Sequence, residues 1–306
     1  MTAQDSAISS ARVAPSTTPG TLLAALGVLA FSFSFPATVW ALDGFGPWSA
    51  TGVRGVLAAL LAGAGLLIFR GPPPTLRDWP GLAVVAVGCA IGFPLLTTLA
   101  LQTSTTAHSA VVIGALPMAT ATISVLRTGT RPSPAFWAAA GLGGLTVTTF
   151  ALTQNHGRPT VGDLYLFAAL LVCAAGYAEG GRLSAHMPGW RVIAWGVLLA
   201  APINLIVATW ALMHEPVQFT ATAVGGMAYI AAVSQFLGFV VWYRGMGLIG
   251  VTRASQIQLA QPMITLVWAV WLMGEHLPPA APITALIVLI CIVATQRARS
   301  TSAATR

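Results

Sequence analysis

Apolar runs of about twenty residues follow one another along this chain, each long enough to carry a helix across a hydrocarbon core of ~30 Å. Such a run leaves its backbone little choice. In lipid every N–H and C=O must be bonded within the protein, and a single segment achieves that only as a helix. Punctuation by Gly, Pro and charge places ten helices at 21–42, 48–69, 80–101, 105–126, 134–153, 163–182, 190–212, 221–243, 250–273 and 279–296. The connections are short, so consecutive helices are antiparallel neighbours and no soluble domain has room. The expected fold class is all-α integral membrane, with polar cytoplasmic tails at 1–20 and 298–306. The first tail is rich in Ser, Thr and Pro and is expected to be disordered rather than a cleaved signal peptide.

Composition agrees. Only 7% of the 306 residues are charged and 56% are hydrophobic, against roughly 25% charged in soluble domains. The net charge of +7 would suit a nucleic-acid partner if it were gathered into a patch. Instead every basic residue is Arg, set singly or in pairs between apolar runs, which reads as membrane orientation and leaves no nucleic-acid surface. With the N-terminus inside, Arg12, Arg70, Arg77, Arg127, Arg131, Arg182, Arg191, Arg244, Arg253, Arg297, Arg299 and Arg306 fall on the cytoplasmic side. Only Arg158 falls in an outer loop, and Arg54 lies within the second helix. Asp43, Asp163, Glu215 and Glu275 fall outside. The chain is therefore expected in the plasma (inner) membrane with both termini cytoplasmic. Cys89, Cys173 and Cys291 each sit inside an apolar run, without disulfide or metal-ligand spacing. They read as packing residues, and no metal or cofactor is expected.

The chain also repeats itself. A constant offset of 145 matches Pro117 with Pro262, Met118 with Met263, Thr120 with Thr265, Gly129 with Gly274 and Pro134 with Pro279. The same offset carries the first five helices (21–154) onto the last five (163–297). Five is odd, so the second unit is upside down relative to the first. Inverted repeats that meet near the bilayer midplane are the construction of secondary transporters, with the site between the halves.

The stretch YRGMGLIGVTRASQIQLAQPMITLVWAVWLMGEHL (Tyr243–Leu277) resembles the EamA family of the drug/metabolite transporter superfamily. Tyr243, Ala254, Pro262, Gly274 and Glu275 match its pattern around the ninth helix, and Phe31–Gly55 resembles its first hairpin, with Arg54 at the second-helix arginine. The first unit departs from the pattern, because Thr130 stands where the corresponding Glu would be and aromatics flank Ser32 in place of a Trp. The resemblance covers about residues 20–297. It implies ten helices and transport of amino acids, other metabolites or drugs, often outward.

Ser255, Gln258, Pro262 and Thr265 recur at helical spacing on one face of the ninth helix, with Gln261 on its shoulder. Such side chains belong in a bundle or a watery cavity rather than against lipid. Pro262 also frees a carbonyl four residues back. The stripe lines a path for a small polar solute, or it joins two helices by hydrogen bonds. Glu275 and His276 read as a solvated turn at the membrane boundary. Glu179 and Arg182, at i and i+3, read as an interfacial ion pair, with Glu179 the coupling candidate as the one carboxylate within a span. Arg54 either attracts a substrate carboxylate or pairs with Asp43 across the first hairpin, and His108 reads as a lone structural histidine. With Trp40 and Tyr177 these residues complete the candidate lining. Most aromatics, Phe236, Trp242 and Trp271 among them, read as lipid-facing or interfacial. Pro36 and Pro94 mark kinks, while Gly88 with Gly92 and the cluster Gly141, Gly143 and Gly144 read as close helix packing.

The function expected is secondary transport of a small organic metabolite, by a monomer or homodimer in the lipid bilayer. An intramembrane enzyme would need a paired acid and base or a metal set at one depth, and the sequence offers none. A scaffold would need no polar stripe. The charge pattern makes a direct prediction: a reporter active only outside is expected to work when fused near Gly157 and to fail near Gly129 or at Arg306. Activity at Arg306 would mean an odd number of spans.

Overall fold

The computed structural model of the chain describes residues 18–128, 133–154, 158–249 and 257–304. Among these residues the backbone is helical apart from connections and one isolated bridge between Phe45 and Val217. Eight helices are long and apolar enough to cross a membrane: α1 (Thr18–Leu42), α2 (Pro47–Ile68), α3 (Trp79–Ala100), α4 (Thr106–Arg127), α5 (Pro134–Thr153), α6 (Val161–Leu183), α7 (Gly189–His214) and α8 (Ala221–Met246). Two more apolar helices are shorter, α9 (Ala260–Trp271) and α10 (Ala280–Thr295). The eight long helices fall within a few residues of the expected spans.

Small residues decide which helices touch. Where side chains are as apolar as the surrounding lipid, close backbone approach supplies the packing energy. Gly52 and Gly55 bring α2 against Ala208 and Asn204 of α7. Gly27 of α1 lies under Trp242 of α8, and Gly245 of α8 faces Ala24. On α3, a Cβ added to Gly88 would stand 2.3 Å from the Val172 carbonyl oxygen of α6. The Gly141 cluster behaves differently from expectation. Gly143 packs on Met118 and Cys291, but Gly141 and Gly144 face open space. Phe236 and Trp242 are buried rather than lipid-facing, Trp242 because Gly27 leaves it room, whereas Trp271 is 77% exposed as its position suggested.

The long helices are not uniform. The first is interrupted at Phe33, just ahead of Pro36, and α3 and α8 contain π-helical segments at Ala86–Gly92 and Tyr229–Leu237. Shifting the first of these segments by 145 residues gives 231–237, inside the second. Proline and π-helical turns both release carbonyls from the helical ladder, and side chains from distant helices take them up. Pro36 releases the Ser32 carbonyl, which accepts from Thr265 Oγ1 at 2.9 Å. Pro94 releases that of Ala90, which accepts from Gln235 Nε2 at 3.4 Å.

Helix starts are closed by acids. Glu215 accepts from the backbone N–H groups of Trp48 and Ser49 at 3.2 and 2.7 Å, capping α2. Glu275 does the same for α4 through Thr106 and Ala107 at 2.7 and 2.8 Å. Glu275 is thus a cap for a distant helix and not only a solvated turn, because the positive end of a helix dipole favours a carboxylate there.

The α3–α6 contact is tight enough to test. Gly88→Leu is expected to destabilise the bundle by ~1–3 kcal/mol or more through overpacking. Gly141→Leu, with open space around it, is expected to be tolerated. The yield of monodisperse protein after membrane extraction compares the two.

Candidate functional site

The short helix α9 carries its polar stripe toward α4 and α1. Gln258, Gln261, Pro262 and Thr265 line a single cavity of about 40 Å³ together with Phe35 and Pro117. Pro117 and Pro262, the pair matched by the repeat, therefore line one space. Four parts of the chain converge there: α1 at Phe35, just ahead of Pro36, the middle of α4, the start of α9 with Gln258 just ahead of it, and α10 at Leu289 and Ile292. The volume suits one or two waters, against ~300 Å³ or more for a metabolite site, so the cavity is too small for a metabolite in this conformation. Thr265 fixes one wall, since its hydroxyl is shared between the Ser32 and Gln261 carbonyls at 2.9 and 3.0 Å. Trp268 Nε1 donates to Ser32 Oγ at 2.9 Å and ties the same two helices.

The other expected site residues lie elsewhere. Ser255 falls outside the described residues. Trp40 packs edge-on against Phe33, which also meets Tyr229 and Trp268. Tyr177 packs edge-on against Phe239 at 6.3 Å. Arg54 does not pair with Asp43. Its guanidinium donates to Gln235 Oε1 at 2.9 Å and Ser234 Oγ at 3.4 Å on α8, while Asp43 is exposed. The start of α2, held by Glu215, turns Arg54 into the bundle and away from the loop that carries Asp43.

Glu179 is buried (1% exposed) and meets two cations. Arg182 Nε stands 3.0 Å from one carboxylate oxygen, as the spacing on α6 implied, and Arg127 Nε of α4 stands 2.5 Å from the other. The second partner was invisible to spacing along one helix. Asp163 is a second buried carboxylate within a span, correcting the expectation that Glu179 was alone. Nor is His108 a lone residue. Its Nε2 lies 2.6 Å from Asp163 Oδ1, and its ring stacks on Phe150. Thus α4 and α6, running parallel, are pinned near both ends by charged groups.

A further Asp–His pair sits outside the spans, where Asp78 accepts from His186 Nε2 at 2.8 Å. Hydrogen bonds from the Thr75 hydroxyl and backbone, with His186 adding to them, hold the Asp78 carboxyl below its ordinary range. Among the described residues no cluster of three His, Cys, Asp or Glu could hold a metal ion.

Sequence reasoning passed over Gln235 and Asn204, although the signal that singled out Gln258 applied to both: each is an amide inside an apolar run.

Comparison with known proteins agrees with this architecture. The model of the EamA-like transporter family matches the chain twice, at residues 18–152 and 160–295. A Bacillus subtilis (strain 168) protein described as the uncharacterized transporter YdeK is 42% identical over 287 residues, covering 92% of this chain and 98% of the relative. A probable terminal-alkyne amino-acid exporter of Streptantibioticus cattleyicolor is 24% identical over 263 residues, covering 84% and 86%. A solved crystal structure shares the fold with a TM-score of 0.63 at 19% identity, over 93% of this chain and 99% of the other. With a two-unit match across nearly its whole length, this multi-pass membrane protein is a transporter rather than an enzyme and belongs to the EamA-like transporter family.

Proposed function

We propose that the chain is a secondary transporter of the plasma membrane that exports a small organic metabolite, amino-acid-like or drug-like, by alternating access. In this reading α9 and α10 also cross the bilayer, giving ten spans, and both termini are cytoplasmic. Residues 21–154 and 163–297 form two inverted five-helix repeats, and the unit is a monomer or homodimer. The observation that carries the reading is the small cavity that Pro117 and Pro262 line together. Residues related by a two-fold axis come together only close to that axis, and transporter sites lie there. The hydrogen bond between Gln235 and Ala90, residues 145 apart, supports the same axis. So do the π-helical segments at corresponding places in α3 and α8. Outward transport of an amino-acid-like solute is in keeping with the printed name of the 24% identical exporter.

The path in this reading runs through Gln258, Gln261, Pro262 and Thr265, with Ser255 preceding them in the sequence and Trp40 and Tyr177 further along. The amides orient the solute by hydrogen bonds, and the proline ring breaks the helix where it must flex. Glu179 remains the proposed coupling group on a stricter condition than the sequence required. With Arg127 and Arg182 both against it, protonation would leave two cations facing each other. Parting of α4 from α6 at that end would take Arg127 away from Glu179 and leave Arg182 beside it.

Two measurements test these assignments. Gln258→Leu or Gln261→Leu is expected to lower transport roughly tenfold, the worth of one lost hydrogen bond of ~1.4 kcal/mol, with expression and folding retained. Normal transport by both variants in proteoliposomes would remove the amides from the path. Glu179→Gln is expected to abolish acceleration by a proton gradient while sparing exchange at equal pH. Gradient-driven transport that survives in it would reduce the cluster to a static clamp.

A further inference from the structure

Arg54 is 5% exposed in the middle of α2, and among the described residues no carboxylate lies within ion-pair distance of it. Its two acceptors, Gln235 Oε1 and Ser234 Oγ, are neutral. Both are already held by others: Gln235 Nε2 donates to the Cys89 and Ala90 carbonyls, which turns its oxygen toward Arg54, and Ser234 Oγ shares a hydrogen bond with Ser34 Oγ. Arg54 Nε has no acceptor. Asn204 of α7, 1% exposed, has a second buried donor without one, its Nδ2. The Asn204 amide presses on Gly55, the residue next to Arg54, where an added Cβ would stand 2.2 Å from Nδ2.

Burying a full charge against neutral partners alone is unfavourable, and leaving buried donors empty adds to the cost. Such an arrangement calls for a further partner, a water or an ion among them. Both empty groups are donors, so the missing ligand accepts and is negative. A planar guanidinium suits a carboxylate, and an amide donor from a neighbouring helix can add to its hold.

We infer that Arg54 and Asn204 form a subsite for one small anion between α2 and α7, with Gln235 and Ser234 as positioning groups. The anion is the carboxylate of the transported solute or a small inorganic anion that moves with it. The inference rests on the transport reading and narrows its cargo to a charged class. Gln235 links this subsite to the backbone released by Pro94, so occupation by an anion is felt where α3 bends.

The test uses the purified full chain in detergent and follows its thermal unfolding. Sodium acetate, sodium chloride and neutral acetamide are titrated at an ionic strength held by the bulky sulfonate MES. Acetate is expected to raise the midpoint by roughly 2–5 °C near saturation, and acetamide to leave it unchanged. The rise is expected to vanish in Arg54→Gln and to fall by at least half in Asn204→Leu. A response to acetate alone identifies the solute's carboxylate as the occupant, and an equal or larger response to chloride identifies an inorganic ion; either supports the subsite. If no anion stabilises the wild-type protein, or the rise persists in Arg54→Gln, the inference fails. Should Arg54→Gln not fold, Arg54→Lys, which keeps the charge and loses the fork, is expected to weaken acetate binding several-fold. Transport that continues without any anion response removes this subsite alone. Absence of transport under all conditions removes the reading beneath it.

Discussion

A carbonyl released by proline inside a membrane helix meets no water, and an unbonded one is costly in hydrocarbon. Two such carbonyls are taken up across the bundle, at Ser32 by Thr265 and at Ala90 by Gln235. Each bond joins a helix of the N-terminal half to one of the C-terminal half, so the kinks and the contacts between halves are one feature. The bonds are also weak, each worth about 1 kcal/mol net. Helices joined this way are held in register yet can exchange one acceptor for another as they move, which a seam of interlocked glycines such as α3 on α6 cannot do.

Charge divides the same helices differently. Glu215 and Glu275 come from connections in the second half of the chain and cap α2 and α4 in the first. Because α4 is also tied to α6 by His108–Asp163 near one end and Arg127–Glu179 near the other, these parallel helices are braced along their length. Between the braces lies the cavity wall around Pro117, where neutral contacts prevail. While both charged contacts hold, strong interactions at the ends and weak ones at the middle suit a pair that tilts as a body, with bending confined to the prolines.

How much of this was readable in advance follows from the reach of each interaction. The apolar runs, the polar stripe of α9, the Gly88 packing and the Glu179–Arg182 pair are local patterns, and spacing along one helix reveals them. Arg54 misled because its sequence neighbour Asp43 is the wrong partner: its acceptors are 180 and 181 residues away. Glu275 looked like a boundary turn because its helix lies 168 or 169 residues earlier. Arg127 and Glu179 sit on different helices, and no periodicity relates them. The charged groups that were misread all have partners on another helix. In a protein with 7% charged residues each such group has few partners to choose from, and the fold, not the local sequence, makes the choice.

That scarcity bears on how the two halves are specified. Apolar helices in lipid have many acceptable neighbours, since greasy faces are nearly interchangeable with acyl chains. A buried guanidinium does not. Arg54 can sit only where Gln235 and Ser234 face it, Gln235 in turn only where Pro94 has released a carbonyl, and Asn204 only against a glycine. The chain of dependence runs from α2 through α8 to α3 and back across α7, and it fixes their rotation about their own axes. Replacing these groups by apolar residues of similar volume would remove the desolvation penalty and could leave a more stable bundle. Such a bundle would have lost the feature that singles out one helix arrangement from many, and with it the two empty donors that have no use in a purely structural protein.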